Sequence, residues 1–187
     1  MKGFSKGWII AGVVAVVVIA VAISGYNGLV TLNESINGKW SQVENQLQRR
    51  ADLIPNLVAT VKGYAAHEQN AIQAIADARA KLAGAQGPQA KAQADNELNG
   101  ALSRLLVVAE NYPNLKADKN FRALMDELSG TENRIAVARK DYNDSVQLYN
   151  TKIRSFPTNF YANMLGFGPK EYFKAEEGAK QVPAVQF

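Results

Sequence analysis

The stretch INGKWSQVENQLQRRADLIPNLVATVKGY, residues 36–64, decides the fold because its apolar residues recur at alternating intervals of four and three. This seven-residue repeat is typical of α-helices that pack side by side at shallow angles. Followed on to Leu82, the repeat holds over about six heptads. The stripe within the quoted stretch consists of Ile36, Trp40, Val43, Leu47, Arg50, Ile54, Leu57, Val61 and Tyr64.

The rest of the chain predicts two further helices and an irregular tail. Short connectors that contain Gly and Pro separate the helical stretches, and such connectors place consecutive helices antiparallel. The predicted fold is therefore all-α, a bundle of three to four long antiparallel helices. The aromatic-rich tail, residues 157–187, contains a short helix near 160–165 and either caps the bundle or forms a partner-binding patch. The three helices are predicted over about residues 28–83, 89–111 and 118–155.

Pro55 lies inside the first predicted helix. A proline there removes one backbone hydrogen bond and commonly kinks the helix. Because the heptad phase continues across Pro55, the sequence favours a kink over a reversal of the chain. The alternative is that the chain folds back at Pro55 and builds a four-helix bundle.

An uncharged apolar run, WIIAGVVAVVVIAVAI, occupies residues 8–23. A membrane-spanning helix needs about 20 mostly apolar residues, and Trp8 and Tyr26 mark its two ends as interfacial aromatic residues. Lys2 and Lys6 precede the run, so the positive-inside rule places the amino terminus in the cytoplasm and the chain after Tyr26 outside it. The predicted stub and span, residues 1–26, include Trp8, Ile9, Val16, Ile23 and Tyr26.

A cleaved signal peptide is the competing interpretation of the same run, with Ala20-Val21-Ala22 as the cleavage site. The run is long for a signal peptide, and a helical pattern begins directly after it. We therefore predict a retained single-pass anchor in a bacterial cytoplasmic membrane. Under either interpretation the bundle, residues 27–156, lies outside the cytoplasm.

The composition excludes several kinds of site. Without Cys the chain has no disulfide, thiolate metal site or cysteine nucleophile, and its single His, His67, excludes an intrachain site that needs two imidazoles. The net charge of +4 is too small to point to nucleic acid. No phosphate-binding loop or nucleophile elbow is present. We predict no catalytic residue, no cofactor and no metal site.

Arg49 and Arg50 precede Asp52, and the simplest interpretation is a solvated helix surface with a local ion pair. Arg50, however, falls on the apolar stripe, where one polar residue can fix register and partner number. A helix rise of about 1.5 Å per residue leaves residues 28–55 without an intrachain helix beside them. We therefore predict that a second copy of the chain or a partner covers this stripe. The candidate assembly seam consists of Ile36, Trp40, Val43, Leu47 and Arg50.

The run QRRADLIPNLV, residues 48–58, resembles the signature of the LemA family. Other matching pieces include AENYPNLK, residues 109–116, and the resemblance covers almost the whole chain from about residue 25 to 175. Two departures are minor, since Ala51 stands where an aromatic residue is common and Ala66 where a polar one is common. The residues that match the central motif are Arg49, Arg50, Asp52, Leu53, Ile54, Pro55, Asn56 and Leu57.

The resemblance implies a bacterial membrane protein with one amino-terminal span, a helical bundle and a role at the cell envelope. Some relatives are linked to membrane-organelle formation in magnetic bacteria, and gene neighbours often include membrane metalloproteases or other envelope proteins. We expect a structural or scaffold protein that binds the lipid bilayer and forms homo-oligomers, and not an enzyme. The alternative is an accessory or adaptor subunit of a membrane protease or another envelope complex.

Overall fold

The computed structural model describes residues 6–174, and these residues form helices with no strand among them. A helical bundle with a single long apolar helix at the amino-terminal end is confirmed. The α-helices are α1 (Lys6–Tyr64), α2 (Gln69–Gly84), α3 (Gly87–Glu110), α4 (Pro113–Ala117) and α5 (Lys119–Arg154), followed by 3-10 turns at Thr158–Phe160 and Asn163–Leu165.

α1 contains both the apolar run and the heptad stripe in one unbroken helix, which passes through Pro55 without ending there. Its most apolar 18-residue window has a mean hydropathy of 2.7, and none of that window is buried within the protein. Within residues 6–174, α1 is the one helix long and apolar enough to cross a membrane. An apolar helix that no protein surface covers is suited to contact with lipid.

The single helix expected over residues 28–83 is instead two helices, because the chain reverses at residues 65–68. Arg79 Nε of α2 donates to the Ala51 carbonyl of α1 at 2.8 Å, so α2 runs back along α1. The heptad spacing concealed this reversal because the stripe of α2 continues the count of the α1 stripe across the turn. The packing of α2 on α3 favours the reversal over one continuous helix, because it buries the apolar stripe of α2. The buried residues of α2 are Ile72, Ile75, Ala78 and Leu82.

The later helices end close to the predicted residues. α3 and α5 differ by one or two residues at each end from the predicted helices, which is within the ordinary uncertainty of helix ends. The expected connector at residues 114–117 belongs to the short helix α4, whose Leu115 is fully buried. The short helix expected near residues 160–165 is replaced by the two 3-10 turns.

The chain divides into two compact units. Within the described residues, one unit combines residues 6–38 with Asp144–Lys170, and the other combines Lys39–Asn143 with residues 171–174. The division into segments at residues 26 and 156 stays a prediction.

The second unit is a four-helix bundle made of residues 39–64 of α1, α2, α3 and residues 119–143 of α5. Two ion pairs show that α1 and α5 are antiparallel: Lys39 Nζ lies 2.9 Å from Asp141 Oδ2, and Arg49 Nη2 lies 2.6 Å from Glu127 Oε1. The four-helix alternative is therefore the observed arrangement, but the reversal lies after Tyr64 and not at Pro55.

The candidate assembly seam is not left uncovered by the chain. Val43, Leu47 and Arg50 are buried, as is Ile36 in the other unit, and Trp40 is half-buried against Tyr142 of α5. The expectation of an exposed seam was wrong because it placed the first reversal at residue 87, about 30 Å too far along the helix. With the reversal at residues 65–68, the chain's own helices cover the stripe.

Candidate functional site

Four polar side chains from three helices form a cluster inside the four-helix bundle. Arg50 of α1 donates from Nη1 to Asp95 Oδ1 of α3 and to Glu132 Oε2 of α5, each at 2.7 Å. Arg50 Nη2 donates to Asn99 Oδ1, also on α3. Arg50 is 3% exposed and Asp95 is fully buried, so this is an ion pair taken out of water.

The electrostatics of the cluster are unbalanced. Burial raises the pKa of the Asp95 carboxyl above its ordinary value, and the Arg50 guanidinium offsets this rise only in part. The Glu132 carboxylate, itself 40% exposed, raises the pKa of Asp95 further because two carboxylates share one guanidinium. Arg50 is therefore the counter-charge that opposes this rise in the pKa of Asp95 most strongly.

The hydrogen bonding of the cluster is also incomplete. In the part of the chain that the structure describes, Arg50 Nε, Asp95 Oδ2 and Gln46 Oε1, one turn before Arg50 on α1, are buried without a hydrogen-bond partner. A buried ion pair of this kind is weak evidence for extra stability, because desolvation offsets much of the attraction. Its better attested use is to specify which helices pair and in what register. We therefore expect Arg50 to help set the register of helices α1, α3 and α5 within the chain.

The two arginines of the LemA-like motif thus have different environments. Arg49 is exposed and pairs with Glu127, which also accepts a hydrogen bond from Arg134 Nη2 at 2.8 Å. The interpretation of Arg50 as a surface residue was wrong. Asp52 pairs with neither arginine in the described contacts and instead accepts a hydrogen bond from Gln48 Nε2 at 2.8 Å.

The rest of the motif divides between core and surface. Ile54 and Leu57 are buried and Leu53 is half-buried, whereas Pro55 and Asn56 are exposed.

The partners of Arg50 were missed by sequence reasoning, although one signal was available. Asp95 lies three residues before Leu98, on the apolar stripe of α3, where a charge is as unusual as Arg50 is on α1. Two opposite charges that each interrupt an apolar stripe are candidates for a buried pair. Glu132 carries no such signal, because acidic residues recur along α5.

A second arrangement holds the carboxyl-terminal end of the described chain on α5 within the bundle unit. Asn143 donates from Nδ2 to the Phe173 carbonyl at 3.0 Å and accepts from the Phe173 amide at 2.9 Å. The Tyr142 hydroxyl donates to the Glu171 carbonyl at 2.8 Å. The Phe173 ring is buried near Trp40, and Arg139 lies 4.9 Å from its centroid.

The other unit repeats the same contacts one heptad further along α5. Asn150 donates from Nδ2 to the Lys170 carbonyl and accepts from the Lys170 amide, both at 2.9 Å, and the Tyr149 hydroxyl donates to the Gly168 carbonyl at 3.1 Å. Each Tyr-Asn pair of α5 therefore binds backbone of the segment 168–173 within its own unit.

Tyr142 gives this arrangement a measurable pH dependence. Burial, with a contribution from the Glu171 carboxylate, raises the pKa of Tyr142 from 10.0 to about 12. The folded state therefore favours the neutral phenol, and its free energy of unfolding falls as pH rises from 10 towards 12.

We expect Tyr142→Phe to lower the free energy of unfolding by about 1 kcal/mol at neutral pH, because the hydrogen bond is lost. Above about pH 10 the free energy of unfolding of this variant should fall less steeply with pH than that of the natural chain. Urea unfolding of both proteins at neutral and alkaline pH measures how the free energy of unfolding changes with pH. An equal change in the two proteins would contradict the buried environment of the Tyr142 hydroxyl.

The residues considered for other chemistry do not converge. Across residues 6–174, no group of three or more His, Asp or Glu side chains is arranged to hold a metal ion. His67 is exposed in the turn between α1 and α2, and the neighbouring Glu68 accepts a hydrogen bond from the Tyr112 hydroxyl at 2.9 Å.

Comparison with known proteins gives a consistent set of relatives. A sequence profile of the LemA family matches residues 39–187. The chain is 32% identical over 193 residues to Magnetosome protein MamQ 2 of Paramagnetospirillum magneticum, an alignment that covers 89% of this chain and 71% of that protein. It is 30% identical over 186 residues to Magnetosome protein MamQ of Magnetospirillum gryphiswaldense, covering 86% and 68%. It is 28% identical over 156 residues to Protein LemA of Metamycoplasma hominis, covering 81% and 69%.

Proposed function

Because the chain belongs to the LemA family, we propose that it is a membrane-anchored structural protein that self-associates and acts as a scaffold at the bacterial cell envelope. The observation that carries the proposal is α1, a single helix that contains the apolar run and also supplies core side chains to the bundle. Because α1 contributes both to the apolar run and to the bundle core, one continuous helix connects the bundle to the bilayer. The proposal assigns the protein no catalytic step.

The proposed topology follows from charge. Lys2 and Lys6 lie before the apolar run, and Glu34 is the first charged residue after it. The positive-inside rule then places the amino terminus in the cytoplasm and the bundle on the extracytoplasmic side of the cytoplasmic membrane.

Self-association needs a different surface from the stripe of α1, since the chain covers that stripe itself. We propose the groove between α1 and α5 around Val137, whose side chain is 63% exposed. Gln42, Gln46 and Arg134 border this groove, and the buried Gln46 Oε1 has no hydrogen-bond partner among residues 6–174. Amide and guanidinium groups around an apolar centre suit a contact with a second copy.

The mass of the full chain in mild detergent tests this proposal. We expect light scattering to give a multiple of the 20.3 kDa chain mass, and Val137→Asp to reduce it to one chain, because a carboxylate at the contact is desolvated without a partner. Val107→Asp is the matched control, since Val107 is 70% exposed on α3 and away from the groove. A protein that is monomeric at all concentrations would contradict self-association. Co-purification of a second protein, such as a membrane metalloprotease, in fixed ratio with that monomer would favour the adaptor role.

A further inference from the structure

Four large apolar side chains are exposed within ten residues after α5, in what we term the 156–165 segment. Phe156 is 80% exposed, Phe160 70%, Met164 86% and Leu165 49%. The Phe156 and Phe160 rings pack edge to face with centroids 5.8 Å apart, so the two aromatic side chains form one patch. Exposed apolar side chains concentrated in this way mark a surface that contacts something apolar.

The 156–165 segment lies against the carboxyl-terminal end of the apolar run of α1, in the same compact unit. The Tyr161 hydroxyl contacts Gly25 so closely that a Cβ at that position would collide with it. Just after the segment, the Phe167 ring meets the Tyr26 ring at a centroid distance of 5.6 Å. A cavity of about 500 Å³ lies between the segment and the run, beside the contact of Tyr161 with Gly25. It is lined by Val17, Ala20, Val21, Ser24, Gly25 and Gly28 of α1 and by Lys152, Pro157, Thr158 and Tyr161.

This placement fixes the depth of the segment relative to a bilayer. Val17, which lines the cavity, lies about 13 Å along the helix from Tyr26, the aromatic residue at the end of the run. If Tyr26 is at the interface, Val17 is in the hydrocarbon region, because one leaflet contributes about 15 Å of it. Pro157 and Tyr161 of the segment line this cavity together with Val17 and Ala20, which places the segment at the outer edge of the hydrocarbon region and not in bulk water.

The backbone of the segment is compatible with that position. The amides of residues 159–162 and 165–167 donate to carbonyls between residues 155 and 163, at distances from 2.9 to 3.2 Å. A chain in contact with lipid must satisfy its backbone polar groups internally. The 3-10 turns bond these seven amides internally and leave Phe156, Phe160, Met164 and Leu165 exposed.

The charges near the segment match the layer just outside the hydrocarbon. Lys152 and Arg154 form the basic last turn of α5, immediately before the segment, and both are exposed. Lys and Arg at such positions extend to the phosphate groups of the bilayer while their apolar stems stay in the interface. Apolar side chains with basic residues beside them are typical of an interfacial membrane contact.

We propose that the 156–165 segment is embedded in the leaflet at the carboxyl-terminal end of the membrane span, with Phe156, Phe160, Met164 and Leu165 against lipid acyl chains. The protein then contacts the bilayer twice, through the span and through this segment. The second contact inserts the 156–165 segment into only one of the two leaflets. It does not depend on self-association or on which side of the membrane the bundle occupies.

Spin labelling tests the proposal, because the natural chain contains no Cys and needs no background substitution. Phe160→Cys and Met164→Cys, each labelled in the full chain, are reconstituted into vesicles of phosphatidylcholine and phosphatidylglycerol. Val107→Cys is the matched control, an equally exposed apolar position on α3 of the bundle unit. Collisions of the label with oxygen, which concentrates in lipid, are compared with collisions with a water-soluble nickel chelate, and far-UV circular dichroism checks each fold.

We expect oxygen collisions to exceed nickel collisions at positions 160 and 164, and the reverse at position 107. Nickel access at 160 and 164 equal to that at 107 would overturn the proposal, since the segment would then face water. Shielding from both reagents with spin–spin broadening would also overturn it, because a second protein chain and not lipid would cover the patch.

Discussion

Arg50→Ala is expected to destabilise the bundle by about 3–5 kcal/mol, because it leaves the carboxylate of Asp95 buried without its counter-charge. Asp95 has no exposed surface through which water can compensate, and Glu132 adds a second negative charge nearby. The substitution also leaves Asn99 Oδ1 without its donor and creates a cavity between α1 and α3. The loss is roughly a third to a half of the total stability of an ordinary domain if that total is about 10 kcal/mol.

Urea unfolding of the full chain in detergent, followed by far-UV circular dichroism, measures the loss. Arg49→Ala is the matched control, since Arg49 is the adjacent residue and carries the same side chain. Its pair with Glu127 is exposed, so we expect a change of about 0–1 kcal/mol. Equal effects of the two substitutions would contradict the buried cluster.

Phe173→Ala is expected to cost about 3–5 kcal/mol, the usual range for removing a buried aromatic ring. The Phe173 ring is 1% exposed and lies 6.2 Å from the Trp40 ring, so its removal opens a cavity on α1. A Phe→Ala substitution in an exposed segment would change the free energy of unfolding by no more than about 0.5 kcal/mol, so the predicted loss depends on the burial of Phe173.

The same unfolding assay applies, and in a Trp8→Phe background, where Trp40 is the one tryptophan, the indole fluorescence reports the loss of its neighbour. Glu171→Ala is the control, since its side chain is exposed and the substitution keeps the backbone carbonyl that accepts from Tyr142. A change in Phe173→Ala no larger than in Glu171→Ala would show that the tail does not pack on the bundle.

The sequence predicts the helices well because its apolar spacing and its Gly and Pro residues act locally. The apolar run, α3 and α5 follow from these signals. The reversal at residues 65–68 does not, because Ala65 and Ala66 are good helix formers and the stripe of α2 keeps the heptad count. The chain turns there because burial of α2 on α3 outweighs local helix propensity.

The candidate site could be predicted in part. Arg50 was recognisable as a charge on an apolar stripe, but its partners depend on which helices are neighbours, and that order changed with the reversal. The roles of the tail aromatics also depend on packing. Phe173 and Phe160 look alike in sequence, yet one is buried against Trp40 and the other is exposed beside the end of the apolar run.

A double-mutant cycle between Arg50 and Asp95 tests most directly the central claim that this pair joins α1 to α3 inside one chain. Arg50→Ala leaves the Asp95 carboxylate buried without its counter-charge, and Asp95→Ala leaves the buried Arg50 with Glu132 alone, whereas the double variant leaves neither of the two charges of the pair. We therefore predict that the double variant is no less stable than Arg50→Ala alone, with a coupling of at least about 2 kcal/mol. Additive losses, with a coupling near zero, would contradict the account.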